Sequence, residues 1–235
     1  METMYLNNKG KETTYNYIMK DIKNNSIIDI ISMNYSIYAF NELKRELSES
    51  KKVDAIISNP EWNKLEILGG RYERHYRNKL NQRHIALEIK NILQDNIDIL
   101  ISKDISIMNN GIIKIENERD ISTIMGNINF TLDGLGIVPT EDFYLNTYIN
   151  HSKDENNNII GYIDSIKDDR LKSIKNKFIS ILDELIEAKS PDYIYFITLY
   201  SIFTEELAGL KDGVFKKQTG IEQTKIWNTL YKFQE

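Results

Sequence analysis

Two stretches of the chain carry residue types suited to chemistry. The first is residues 107–136, IMNNGIIKIENERDISTIMGNINFTLDGLG. Two apolar runs, 111–115 and 121–125, flank a polar turn at 116–120. The second run ends in Gly126-Asn127-Ile128-Asn129-Phe130-Thr131, followed by Gly134 and Leu135. A strand that stops in a Gly/Asn/Thr cluster presents backbone N–H groups and short polar side chains at a sheet edge, which suits a phosphate-type anion. The same residues also suit a plain strand-to-helix turn, with Thr131 or Asn129 capping a short helix at 132–135. No histidine lies in the stretch, so it frames a phosphodiester site without the nucleophile.

The second stretch is residues 71–83, RYERHYRNKLNQR. Guanidinium forks and aromatic rings suit phosphates and unstacked bases. Arg71, Arg74, Arg77, Lys79 and Arg83 are therefore candidate nucleic-acid contacts. The alternative is a solvated loop and the first turns of a helix, with Glu73 diluting the patch. His84 reads as part of the packing of its helix, while His75 and His151 read as loop residues. The acids Asp183, Glu184 and Glu187 read as the wet face of a helix.

Composition sets the limits. The chain has 235 residues, 41% apolar and 28% charged, enough for a sizeable core in one large domain or two modest ones. It has no cysteine, which excludes disulfides, thiolate metal sites and cysteine nucleophiles. Its three histidines have no metal or triad spacing, so neither a metal nor a cofactor is expected. A net charge of −5 confines any nucleic-acid contact to a local patch. The N-terminus has no signal pattern and no apolar run reaches the ~20 residues of a membrane span, so the expected location is the cytoplasm.

The elements that must position these residues follow from periodicity. Residues 1–25 begin without pattern, apart from a short helix at 14–22. Residues 27–33 and 53–58 read as buried strands, with an amphipathic helix over 36–47 between them. Asn59-Pro60 closes the second strand. A helix over 78–93 and a strand over 97–101 follow, then the paired strands of the first stretch. This order gives an α/β domain with a mixed β-sheet flanked by helices, residues 1–150. Residues 140–161 read as a solvated loop. Residues 151–235 read as a helical C-terminal region, with a long helix over 164–189. A second, aromatic-rich helix over 192–207 has Ser190 as its N-cap and Pro191 in its first turn.

The strand 27–33 with its following helix, and the GNINFTLDGLG turn, resemble the phospholipase D-like phosphodiesterase fold. That superfamily has a His-x-Lys pair on a strand, an Asp a few residues later, and a Gly-Ser-x-Asn-like turn with a following Thr-x-x-Gly-Leu. Gly126, Asn129, Thr131, Gly134 and Leu135 match the last element, and Asn127 stands where Ser is usual. With Lys114 as the motif lysine, Ile112 holds the histidine position and Asp120 falls one residue late. A shifted register puts Asn109 and Gly111 at the His and Lys positions. The resemblance thus makes Lys114, Asp120, Asn129 and Thr131 the remnants of a site that lacks the residue forming the covalent phospho-intermediate.

The segments SPDYIYFITLYSIFTEEL (190–207) and KIWNTLYKFQ (225–234) resemble the region joining an N-terminal phospholipase D-like domain to the ATPase lobes of bacterial Swi/Snf-type superfamily 2 helicases. This resemblance implies an accessory N-terminal module of a helicase-like ATPase whose lobes and P-loop lie beyond Glu235. Such a module would bind DNA, RNA or a partner, perform no catalysis of its own, and serve in restriction or phage defence. Two other functions fit the same residues. One is a metal-independent nuclease of this fold, for which His75 and His84 are the only nucleophile candidates. The other is a dimerisation scaffold, since single-motif members of the fold pair two copies to assemble one site.

Overall fold

The computed structural model describes residues 2–58, 66–79, 81–93, 96–102, 111–153, 158–169 and 171–187, with Tyr195 and Leu199 besides. By its contacts the chain divides into two compact units, Met1–Ser190 and Pro191–Glu235. The sequence expectations for residues 192–207, apart from Tyr195 and Leu199, and for 225–234 lie outside the described residues, as do those for Asn59-Pro60 and Asn109.

The first unit is a mixed α/β structure built on one eight-stranded sheet. Its strands are β1 (Glu2–Asn7), β2 (Ile27–Ser32), β3 (Lys52–Ile57), β4 (Ile97–Ser102), β5 (Gly111–Glu116), β6 (Asp120–Gly126), β7 (Leu145–Ser152) and β8 (Leu171–Ser173). The spatial order is β1-β7-β6-β5-β2-β3-β4-β8. Strands β2, β3 and β4 are parallel, and every other pairing is antiparallel. The helices are α1 (Thr14–Asp21), α2 (Ile37–Glu42), α3 (Lys44–Glu49), α4 (Arg74–Asn78), α5 (Gln82–Ile92), α6 (Asn158–Asp169) and α7 (Lys175–Glu187).

The β-branched runs of β2 and β3 are buried almost throughout, as expected of strands covered on both faces. On one face Ile31, Ile56 and Ile112 pack against Ile163 and Ile166 of α6. Helices α2, α5 and α7 pack on one another, with the Phe40 and Phe178 rings 6.0 Å apart. Among the described residues, no helix is long and apolar enough to cross a membrane.

The structure corrects several sequence expectations. Residues 36–47 form two short helices rather than one, and residues 78–93 contain the end of α4, a break, and then α5. The solvated loop expected over 140–161 holds β7, which pairs with β6 and β1. Strand β1, at the edge of the sheet, forms where residues 1–25 show no strand pattern. An outer strand needs little apolar side chain because its main-chain hydrogen bonds hold it in place. The long helix expected over 164–189 is broken: α6 ends at Asp169, Leu171–Ser173 joins the sheet beside β4, and α7 begins at Lys175. The domain boundary expected at 150/151 falls inside β7, and the compact unit runs to Ser190. No helix forms at 132–135. Hydrogen-bonded turns do so instead, and Thr131 Oγ1 accepts from the N–H of Gly134 at 3.3 Å.

Candidate functional site

Lys114 sits mid-strand on β5, in register with Asp29 of β2 and Thr123 of β6. Its side chain is buried, with Nζ 3.2 Å from Asp29 Oδ2 and 3.4 Å from Glu116 Oε2. Lys167 of α6 reaches the same place from above the sheet. Its Nζ lies 2.6 Å from Asp29 Oδ1 and 2.7 Å from Oδ2 of Asp54, the register partner of Asp29 on β3. Lys52 adds a further contact to Asp54 at 3.0 Å. Lone acids inside apolar strands must be paired when buried, and these are. Burial alone would raise the Asp54 carboxyl, but hydrogen bonds from Lys167 and Lys52 outweigh it and hold the group below its ordinary 3.8. Burial would lower the Lys167 ammonium, and its bonds to Asp29 and Asp54 hold it above 10.5 instead.

Ile112, two residues before Lys114, faces the same side of the sheet. It is one of the apolar group Ile31, Ile56, Ile163 and Ile166, with Met125 and Leu100 at the margin. The position where the resemblance calls for histidine is therefore filled by hydrocarbon beneath α6.

The other residues singled out with Lys114 in the sequence do not converge on it. Asp120 begins β6 at the hairpin turn, where Asn117 donates to its Oδ1 at 2.7 Å and Lys23 lies 3.5 Å from its Oδ2. Asn129 and Thr131 follow the other end of β6, roughly 20 Å along the strand from Asp120. Two glycines allow the chain to turn back there. A Cβ on Gly111 would lie 2.1 Å from the Ile128 carbonyl oxygen, and one on Gly126 would lie 2.4 Å from Asn146 Oδ1. Phe130 then locks the turn against β2. Its N–H donates to Ser32 Oγ and to the Asn34 carbonyl, both at 3.0 Å, and its ring is fully buried beside Tyr35 and Phe40.

The arginine-rich segment docks on this turn through its one acid, Glu73. Glu73 is completely buried. Its Oε1 accepts from Ser36 Oγ at 2.5 Å and from the Leu132 N–H at 2.9 Å, and its Oε2 accepts from the Gly70 N–H at 3.0 Å. Burial pushes the carboxyl up, the donors from Ser36 and Leu132 pull it back, and Asp133 raises it again, leaving it at about 7.

The five candidate nucleic-acid contacts now divide. Arg77 is buried, and its Nη1 donates to the carbonyls of Leu68, Gly69 and Gly70 at 2.7–2.9 Å, bracing the loop beside Glu73. Arg71 is exposed. It lies over the Tyr72 ring at 4.5 Å and 3.4 Å from Asp142. Lys79 is exposed over Tyr76 at 4.6 Å. Arg83 is exposed on α5, and Arg74 is half-buried on α4. Cations resting on aromatic faces form a surface suited to phosphates and bases together.

The histidines differ from expectation. His75 lies on α4. His151 is buried on β7 and bonds the Ser152 carbonyl. His84 is exposed and 3.6 Å from Glu88 rather than packed. Asp183 pairs with Lys90 at 2.5 Å. Among the described residues, no group of three acids or histidines is arranged to hold a metal.

No family model and no curated protein matches the chain. Among solved structures it is similar to the phosphatidylserine synthase of Haemophilus influenzae Rd KW20, with 12% identity and a TM-score of 0.46. The likeness covers 88% of this chain and 46% of that one, so the chain spans less than half the length of that protein.

Proposed function

We propose that the chain is a degenerate phospholipase D-like module that holds nucleic acid without cutting it. The observation that carries this reading is Ile112, packed beneath α6 at the nucleophile position, with Lys114 engaged by Asp29 and Glu116. A phosphodiester cannot reach a nucleophile there, and none is present. The exposed Arg71, Lys79 and Arg83, with Tyr72 and Tyr76, supply the binding surface instead. In its fuller form the reading makes the chain an accessory module of a helicase-like ATPase, on the resemblance of residues 190–207 and 225–234.

Fluorescence anisotropy with a labelled single-stranded oligonucleotide at low salt tests the reading. Wild-type protein is expected to bind, with affinity falling steeply as salt rises. The triple variant R71A/K79A/R83A is expected to bind at least roughly tenfold more weakly and with a shallower salt slope, because each phosphate contact contributes a slope of about 0.7 on single strands. Absence of binding at micromolar protein rejects the reading.

One observation favours pairing of two copies as a second reading. Tyr5 is 68% exposed and Leu145 is 57% exposed, on adjacent strands β1 and β7. Sedimentation equilibrium showing a strict monomer would remove it.

A further inference from the structure

We propose that Glu73 is a proton-operated latch, a positioning residue that fixes the arginine- and tyrosine-bearing segment onto the turn after β6. The inference rests on the reading of that segment as the nucleic-acid interface. Three separate parts of the chain send donors to this one carboxyl: Ser36 at the N-cap of α2, Leu132 in the turn, and Gly70 in the segment's own loop. The seat is closed from above by Gly69, at φ +73°, where a Cβ would fall 1.5 Å from Glu73 Oε2. Only glycine lets the backbone pass there. Arg77 braces the same loop through the carbonyls of Leu68, Gly69 and Gly70. Leaving the seat would release Arg71, Tyr72 and Arg74 from the turn together.

The charged and titratable groups facing Glu73 are Asp133 from the turn, Tyr38 from α2, and Tyr76 and Arg77 from α4. Burial and, on the tyrosines, nearby carboxylates raise Tyr38 and Tyr76 above 10, and Arg77 remains a cation. Glu73 is held at about 7 when docked, against an ordinary 4.5 when free. The docked state thus binds a proton more tightly than the released state. Docking is strongest at acid pH, weakens as pH rises from 4.5 towards 7, and then levels. The protonated acid keeps a partner, because Ser36 Oγ can accept its hydrogen as well as donate one.

Amide hydrogen exchange on the whole chain, corrected for intrinsic base catalysis, tests the latch without any ligand. Between pH 5 and 7.5 the opening equilibrium of residues 66–79 is expected to rise at least roughly tenfold and then level, while β2 and β3 do not follow. The rise is expected to persist in His75→Asn, which removes the segment's imidazole, and to vanish in Glu73→Gln. A flat wild-type profile, a rise lost in His75→Asn, or a rise retained in Glu73→Gln each overturns the latch. Should Glu73→Gln fail to fold, the wild-type and His75→Asn profiles still decide. Oligonucleotide anisotropy over the same pH range separates the two readings. No binding at any pH, together with the expected exchange profile, rejects the nucleic-acid reading and leaves the latch standing.

Discussion

Replacing Asp29 by alanine is expected to lower the free energy of unfolding by about 3–5 kcal/mol, read from urea denaturation at neutral pH. Asp29 is 1% exposed and is shared by two lysines, Lys114 from the sheet and Lys167 from α6. Its removal leaves Lys114, itself 6% exposed, with only the longer contact to Glu116. The cost comes mainly from stranding a buried ammonium rather than from the worth of the pair itself. Asn at the same position keeps the shape and one acceptor, so D29N should fall between alanine and wild type. A double-mutant cycle with Lys167→Met should show coupling, because the two side chains meet at 2.6 Å. A loss below about 1 kcal/mol for D29A would mean that α6 is not held to the sheet in this way.

Replacing Phe130 by alanine is expected to cost a similar amount, about 3–5 kcal/mol. The ring is fully buried, 5.0 Å from Phe40 and 5.4 Å from Tyr35. Phe40 continues the contact to Phe178 of α7. Truncation would open a cavity at the junction of β2, α2 and α7, and would also free the turn that carries Leu132. The effect should therefore appear twice, as lower global stability and as faster hydrogen exchange of residues 66–79, which dock on that turn through Glu73. Loss of stability with unchanged exchange of that segment would separate the turn from the segment.

Much of the sheet was legible because its central strands are buried on both faces. The runs IIDIIS and VDAII have few alternatives, and β2 and β3 lie there, with β5 and β6 on the apolar runs 111–115 and 121–125. Strands β1 and β7 were not legible. They lie toward one side of the sheet, and β7 (LNTYINHS) keeps no polar/apolar alternation, its buried positions including Asn146 and His151. The break between α6 and α7 was hidden by an apolar stripe that continues through Leu171, which leaves the helix to pair with β4.

The candidate site divides in the same way. The missing histidine is visible in the sequence, and the filling of its place by Ile163 and Ile166 is a matter of tertiary packing. Asp29 and Asp54, single charges inside apolar strands, are a signal of buried pairing in the sequence itself. Glu73 gave no signal at all. Among five cations it looks like a counter-charge, and only the fold shows it pointing inward while Arg71 and Lys79 point out.

On the proposed function, the chain holds a nucleic-acid backbone and does not cut it. The most direct measurement is made on one sample. Protein in excess is incubated with end-labelled single-stranded DNA in EDTA at low salt, captured on a filter, and the retained DNA is run on a denaturing gel. The DNA is expected to be retained and recovered at full length. DNA that passes through the filter, or that returns as fragments, would contradict it.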